Sequence, residues 1–163
     1  SDGGPALTAG MNGRLGGIAR RHRPRGLMET ISHVKVSRAE GVQGDFRGAL
    51  AGLKGKMKRQ VSLIEAESWA AAMADLGSNK PWWMRRANLL VEGLRLPREP
   101  GTRIRIGSSC LLEVTVECDP CSRMEEIEQG LYAALMPDWR GGFLARVVED
   151  GDITVGDEVR IET

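Results

Sequence analysis

Residues 111–117, which read LLEVTVE, run directly into CDPC at residues 118–121 and then into the stretch from Met124 to Leu135. The first run has the alternation and the β-branched residues of a strand, and the last has the composition of a helix. Cys121 is therefore expected where a strand has ended and a helix begins. Backbone N–H groups converge at such a junction and favour the thiolate form of a cysteine. A thiolate is a nucleophile and a soft metal ligand, so the sequence predicts the chemical centre of the protein here.

Short strand-like runs continue on both sides of this junction, separated by turn signals rather than by helices. Alanine-rich residues 66–76, closed by Gly77, predict one helix, and residues 122–135 predict a second. This order lacks the regular βαβ alternation of a parallel sheet. It predicts an α+β, β-rich fold: a mixed, closed or nearly closed β-barrel of about seven strands with two or more short helices. The predicted strands cover residues 16–20, 28–36, 60–64, 86–91, 102–106, 111–117, 143–148 and 155–161.

The bulk composition indicates one domain. A chain of 163 residues with 41% hydrophobic and 28% charged residues is typical of a soluble globular protein. Residues 1–12, rich in glycine and alanine, are expected to be a disordered leader or an expression remnant, followed by a single domain over residues 13–163. No stretch reaches the roughly 20 apolar residues of a membrane span, so no membrane partner is expected. Three cysteines, an odd number, and the lack of a visible secretory signal favour a reducing cytoplasm.

The net charge of +1 conceals an uneven distribution. Residues 1–60 carry twelve Lys and Arg against four Asp and Glu, whereas residues 111–163 carry four against thirteen. The basic part is expected to fold against the acidic part or to line a pocket for an anion such as a phosphate. Nucleic acid is not expected as a partner, because the total charge is nearly balanced and aromatic residues make up only 4%. The basic, glycine-rich residues 40–59 predict a long functional loop.

The pair Cys118 and Cys121 admits more than one interpretation. A zinc site needs about four ligands, and neither a second cysteine pair nor a spaced histidine pair accompanies this one. A thioredoxin-like dithiol fits the proline before the second cysteine and stays open as an alternative, although that fold carries its motif after an early strand. The alternation of Cys118 with Val114 and Val116 predicts a buried side chain on one strand face. Cys121 is predicted to be the reactive thiol.

Two further segments hold candidate ligands. Arg85, Arg86 and Asn88 lie where a strand is predicted, and they are either a solvated surface group or part of a site. The side chain of Asn88 is expected to form a specific hydrogen bond, because strands are depleted in asparagine. The glycine-rich stretch from Gly41 to Asp45 is too short for a phosphate-binding P-loop and taken alone indicates a turn.

In their order and spacing, these segments resemble the MOSC domain, a module named for the C-terminal domain of molybdenum cofactor sulfurase. The resemblance covers roughly residues 13–162, and it is strongest to the small stand-alone bacterial members. The matching segments are GVQGD at 41–45, RQVSLI at 59–64, RANLLV at 86–91, TRIRIG at 102–107, DPC at 119–121, RGGFLARV at 140–147 and VGD at 155–157.

The resemblance implies a β-rich fold that holds a molybdenum cofactor of the molybdopterin type, with Cys121 as the metal ligand and the catalytic residue. It implies a small oxidoreductase that reduces N-hydroxylated compounds, with a small-molecule substrate and an electron donor as its partners. The alternative is a non-catalytic cofactor or sulfur carrier, which would receive a persulfide on Cys121 from a sulfur donor. The family is also associated with pyridoxal phosphate.

The cofactor's phosphate would need cationic donors or backbone N–H groups. Because the acidic C-terminal third cannot accommodate this negative charge by itself, Arg59, Arg86 and Asn88 are expected to face one cavity together with Cys121. The residues expected to bind the cofactor are Gly44, Asp45, Arg59, Arg85, Arg86 and Asn88.

Overall fold

The computed structural model of the protein describes residues 12–54 and 57–163. The strands in these residues are β1 (Asn12–Arg20), β2 (Glu29–Ile31), β3 (His33–Ser37), β4 (Gly41–Val42), β5 (Val61–Glu65), β6 (Leu89–Glu92), β7 (Arg103–Ile106), β8 (Cys110–Glu117), β9 (Phe143–Glu149), β10 (Gly151–Thr154) and β11 (Glu158–Glu162). The α-helices are α1 (Phe46–Lys54), α2 (Ala66–Leu76), α3 (Met124–Ile127) and α4 (Leu131–Leu135), with 3-10 helices at Met57–Arg59, Trp82–Arg85 and Pro137–Trp139. None of the helices in the described ranges is both long enough and apolar enough to cross a lipid bilayer.

Seven of the strands close into a barrel. Their order is β1, β11, β7, β8, β9, β5 and β6, and β6 pairs with β1 again. Neighbouring strands are antiparallel except for β5 and β6, which run parallel with Leu63 opposite Leu89. β2 extends the sheet beside β1, and β3, β4 and β10 form a small second sheet. The predicted α+β barrel is confirmed, and its closure lets short strands share one interior without exposed edges.

Two apolar clusters hold these elements together. The larger one fills the barrel, and the second sheet contributes Val34 and Ile153 to it. The smaller one joins the outer wall of the barrel to helices α2 and α4 and includes Trp69 and Leu131. Burying a large apolar side chain stabilises a fold by about 1.5–3 kcal/mol. The helices are therefore fixed to the barrel wall mainly by this second cluster.

Helix α2 is confirmed at its predicted bounds, but several strand predictions are wrong in part. The strands predicted over residues 86–91 and 155–161 begin only at Leu89 and Glu158, because Arg86 ends a 3-10 helix and a turn precedes Glu158. Residues 28–36 form two strands, β2 and β3, that meet at Ser32, whose carbonyl accepts the Val155 N–H at 2.8 Å. β10 has no counterpart among the predicted strands, and it pairs antiparallel with β3. The acidic and glycine residues around position 151 have the composition of a turn, since the polar pattern of an exposed edge strand resembles that of a loop.

The loop predicted over residues 40–59 is also wrong, since β4 and helix α1 lie within it. Asp45 caps α1, because its Oδ2 accepts the Gly48 N–H and its carbonyl accepts the Ala49 N–H, both at 3.2 Å. Gly48 is required in the helix because a β-carbon there would collide with the Glu40 carbonyl oxygen. Gly48 therefore does not mark a loop. It allows helix α1 to pack closely against the backbone of Glu40.

The helix predicted over residues 122–135 is two short helices, α3 and α4. Gly130 separates them with φ 91°, and the Glu125 carboxylate accepts the N–H groups of Gly130 and Tyr132 at 3.0 and 2.9 Å. These bonds stabilise the break, because they satisfy donors at the start of α4. A helix of four residues adds little of the positive end charge that was expected near Cys121.

Asn88 immediately precedes β6 and forms hydrogen bonds with residues of β1 and β5. Its side chain donates to the Ala19 carbonyl at 3.1 Å and accepts the Ser62 N–H at 3.1 Å. Its own N–H reaches the Ser62 hydroxyl, also at 3.1 Å. The asparagine that is unusual for a strand thus joins three strands at the only parallel pairing of the described barrel.

We expect Asn88→Ala to lower the free energy of unfolding by about 2–4 kcal/mol, because it leaves buried groups on two neighbouring strands without partners. Urea unfolding followed by circular dichroism measures the change. Asn79→Ala is the control, since Asn79 is exposed and its loss should change the unfolding free energy by less than about 0.5 kcal/mol. Equal stabilities of the two variants would contradict this role for Asn88.

Candidate functional site

A cavity of about 790 Å³ lies beside the segment that joins β8 to α3. This volume is within the range of about 300–1,000 Å³ that is common for small-molecule and cofactor sites. Both cysteines of the segment, Cys118 and Cys121, line it, and Glu126 is the one carboxylate among its described lining residues. Six arginines line it as well: Arg21, Arg25, Arg47, Arg85, Arg86 and Arg123.

The fold presents the two cysteines differently. Cys118 is 9% exposed, and its N–H donates to the Gly142 carbonyl at 2.9 Å. Gly141 lies so close to this segment that a β-carbon on it would be 2.6 Å from the Cys118 carbonyl oxygen. Cys121 is exposed, and its carbonyl accepts the Met124 N–H at 2.9 Å. The first thiol is therefore held in the wall and the second is accessible from the cavity.

Arg85 holds this segment in place through its guanidinium. It is 8% exposed, and its Nη2 lies 3.0 Å from the Cys118 carbonyl oxygen, 3.3 Å from the Cys118 sulfur and 3.4 Å from the Asp119 carbonyl oxygen. Its Nε is buried and has no hydrogen-bond partner in the described part of the chain. An unpaired buried donor of this kind is an unfavourable feature of the wall.

Four of the arginines form a positively charged cluster, which we call the inner cluster: Arg21, Arg47, Arg86 and Arg123. Partial burial, together with the nearby charges of the other three, lowers the pKa of Arg21 from its ordinary value. No ion pair joins these side chains to a carboxylate within residues 12–54 and 57–163, whereas Arg98 and Arg105 elsewhere are paired. Concentrated, unpaired positive charge in a concave site favours an anionic ligand.

Asp45 fixes two members of the inner cluster without lining the cavity. Its Oδ1 accepts the Arg21 N–H at 3.1 Å, while its cap on α1 sets the start of the helix that carries Arg47. The Phe46 N–H also donates to the Arg21 carbonyl at 2.7 Å. Arg86 reaches the cavity from a backbone with φ 69°, a left-handed conformation that directs it away from its buried neighbour Arg85.

The structure brings together only part of the predicted site. Cys121, Arg85 and Arg86 line the cavity. Asp45 and Asn88 are buried and bonded to backbone groups, so they support the wall instead. The residues predicted to bind the cofactor that are not among the described lining residues are Gly44, Asp45, Arg59 and Asn88.

The expectation that Arg59 and Asn88 share one cavity with Cys121 is therefore not met. Arg59 is exposed at the end of a 3-10 helix. Gly44, with φ 81°, belongs to the turn in which the Gln43 carbonyl accepts the Arg20 guanidinium at 2.7 Å. Both residues belong to segments that match the motifs named above. Other residues close to them in sequence line the cavity, and they themselves do not.

Four arginines of the site were not predicted. Arg123 carried a signal, because it lies only two residues after Cys121. Arg47 would have followed from recognising Asp45 as a helix cap, since it is the second residue of α1. Arg21 and Arg25 belong to the connection between β1 and β2, which only the closure of the barrel brings to the cavity.

Two titratable groups that are not among the described cavity-lining residues have raised pKa values. Burial raises the pKa of the Cys110 thiol to about 12, so this cysteine remains a neutral core residue. Partial burial and the neighbouring Asp119 carboxylate raise the pKa of Glu117 at the end of β8. No group of three or more His, Cys, Asp or Glu side chains suited to a metal ion occurs in the described part of the chain.

Comparison with known proteins identifies a family. The model of the MOSC domain family matches residues 51–160, while no curated protein matches the sequence. Among solved structures, the YuaD protein from Bacillus subtilis is similar over 93% of this chain and 96% of its own, with 21% identity and a TM-score of 0.74.

Two YiiM proteins are also similar in structure. YiiM from Geobacillus stearothermophilus matches 93% of this chain and 73% of its own, with 16% identity and a TM-score of 0.62. YiiM from Escherichia coli matches 92% and 70%, with 14% identity and a TM-score of 0.63. At such low identities, these similarities show a shared fold.

We expect alkylation to modify Cys121 at least about tenfold faster than Cys110 or Cys118, because buried structural cysteines are inert. The measurement is iodoacetamide labelling at neutral pH of protein produced without molybdate, followed by peptide mass mapping. Urea-unfolded protein is the control and should be labelled at all three positions. Faster labelling of Cys110 or Cys118 in the folded protein would contradict the assignment of Cys121 as the accessible thiol.

Proposed function

The chain belongs to the MOSC domain family, and from this premise we propose that it binds a molybdenum cofactor of the molybdopterin type in the cavity beside Cys121. We propose further that it is an oxidoreductase that reduces small N-hydroxylated compounds with electrons from a separate donor. One observation carries the proposal: a single cavity combines an exposed thiol with a cluster of arginines that lack carboxylate partners in the described chain.

The residues at the cavity fit such a cofactor. The cofactor brings dithiolene sulfur to its metal and needs one further soft ligand, and the Cys121 thiolate is of that type. Its phosphate carries a charge of about −1.5 to −2 at neutral pH, which the inner cluster can neutralise.

Each group of residues has a distinct task in this proposal. When bound, the cofactor supplies oxygen-atom transfer coupled to two electrons, and the protein supplies binding and orientation. The inner cluster holds the phosphate, since the guanidinium fork binds phosphate oxygens in pairs. Arg85 holds the Cys118 and Asp119 carbonyls and thereby fixes the segment that carries Cys121. The apolar residues Leu63 and Met124 line the same cavity.

A sulfur or cofactor carrier is the second candidate, and the exposure of Cys121 supports it. A persulfide on an accessible thiol could be passed to a partner protein without any turnover of a small substrate. The thiol oxidoreductase alternative has less support, because Cys118 is buried and its sulfur contacts the Arg85 guanidinium. Three free cysteines accord with the further proposal that the protein works in the cytoplasm.

We expect Arg86→Ala to weaken cofactor binding about ten- to a hundredfold, because it removes a charge-assisted bond to the phosphate. Protein from a molybdate-supplied host, purified at limiting cofactor, should lose most of its molybdenum as measured by plasma mass spectrometry. Arg23→Ala is the control, since Arg23 is exposed and is not among the described residues at the cavity. Full molybdenum content in Arg86→Ala would contradict the proposed phosphate site.

Measurements on the same samples distinguish the oxidoreductase proposal from the carrier proposal. Turnover of a hydroxylamine with a reduced viologen dye as electron donor supports the oxidoreductase. A Cys121 mass increase of one sulfur atom, without turnover, supports the carrier instead. Wild-type protein that contains no molybdenum would contradict the proposed cofactor.

A further inference from the structure

Building on the proposed function, we propose that the N-hydroxylated substrate has an apolar body and an anionic group, a carboxylate, and that Arg25 binds this group at the mouth of the cavity. Arg25 is exposed and lies in the connection between β1 and β2. Its side chain lines the cavity and forms no ion pair within residues 12–54 and 57–163. The inner cluster is sufficient for the cofactor, so Arg25 is a cation without an assigned ligand.

The balance of charge supports a second anion. Arg85 is engaged with the Cys118 segment, which leaves five arginines at the cavity against Glu126. The Cys121 thiolate offsets one of these charges, and a phosphate monoester offsets about two more. A cavity that holds only the cofactor would therefore keep an excess of positive charge, and repulsion among neighbouring cations is unfavourable.

Arg25 is presented to the cavity by a turn between β1 and β2, four residues after Arg21. Arg25 has φ 59°, and the turn that presents it is closed by a hydrogen bond of 3.0 Å from the Gly26 N–H to the Arg23 carbonyl. The connection between β1 and β2 thus presents Arg25 to the cavity from a closed turn.

Apolar side chains that line the same cavity as Arg25 account for the apolar body of the proposed substrate. Leu27 is 93% exposed although it lines the cavity, and Met84 is also exposed there. Trp83 adds an aromatic ring to the same lining. Large exposed apolar side chains that line a cavity are typical of a ligand-binding surface. A cation next to such a surface suits an aromatic or aliphatic carboxylate.

The reduction of such a substrate needs only a one-electron donor and protons. For an amidoxime, the N–O bond breaks and the oxygen leaves as water, while two electrons and two protons convert the group to an amidine. The electrons come from two equivalents of a reduced one-electron donor, for which a reduced viologen dye serves in the assay. The carboxylate takes no part in this chemistry and acts only in binding.

Two probes that differ by one carboxylate test the inference: benzamidoxime and 4-carboxybenzamidoxime. Their dissociation constants are measured by titration calorimetry on protein from a molybdate-supplied host, and the molybdenum content of the same sample is recorded. We expect the wild type to bind the carboxylate probe about tenfold more tightly, in line with one charge-assisted bond. Arg25→Gln should bring the ratio close to one, and added salt should reduce it.

Two further variants serve as controls. Arg23→Gln removes an exposed charge from the same loop and should keep the tenfold ratio. Leu27→Ser should weaken both probes to a similar extent, because it removes apolar contact and leaves the charge of Arg25 in place. A ratio that falls equally in Arg23→Gln and Arg25→Gln would overturn the inference, since it would reflect general charge rather than a site.

The outcomes for the inference and for the proposed function are distinct. Bound molybdenum with equal affinity for both probes overturns the anionic substrate and leaves the cofactor proposal intact. A sample without molybdenum counts against the cofactor proposal. In such a sample, an Arg25-dependent preference would still support the anion site, and the lack of one would overturn it. The ratio of kcat/KM for the two probes with reduced viologen should follow the ratio of affinities wherever turnover occurs.

Discussion

The hydrogen bonds of Asn88 are the interaction on which the arrangement of the site depends. They join β1, β5 and the start of β6 at the parallel pair of the barrel. Because Asn88 is fixed, the residues immediately before it are fixed as well. Arg85 is thereby directed into the wall toward Cys118, and Arg86 is directed into the cavity. One buried amide thus links the closure of the barrel to the position of both functional arginines.

A second constraint is the unpaired charge that the fold gathers around the cavity. Asp45 places Arg21 and Arg47 close to Arg86, and burial and repulsion lower the pKa of Arg21. Charges arranged in this way destabilise the folded chain unless an anion binds between them. Other arginines, such as Arg98 with Glu65, are paired and stabilise the barrel directly. The contrast explains why we assign the cavity arginines to ligand binding rather than to stability.

The sequence predicted the barrel because its short strands, turn signals and the capped helix over 66–76 are local patterns. It also predicted a buried Cys118 from alternation, which the structure confirms. It predicted a reactive Cys121 from its position, which stays a prediction, although the thiol is exposed. It failed at α1, where Gly48 indicates a loop although the helix needs a glycine for close packing. It failed again at Arg21 and Arg25, because their approach to Cys121 follows from barrel closure, which no local pattern encodes. Asn88 was recognised as unusual, but its partners are strands distant in sequence.

The most direct test of the account is the coordination of molybdenum in Cys121→Ser compared with the wild type. X-ray absorption at the molybdenum edge, on protein from one molybdate-supplied host, counts the sulfur neighbours of the metal. The account predicts that the variant retains molybdenum, since arginines hold the cofactor through its phosphate, but that the metal has one sulfur neighbour fewer. The same number of sulfur neighbours in both proteins would contradict Cys121 as the metal ligand.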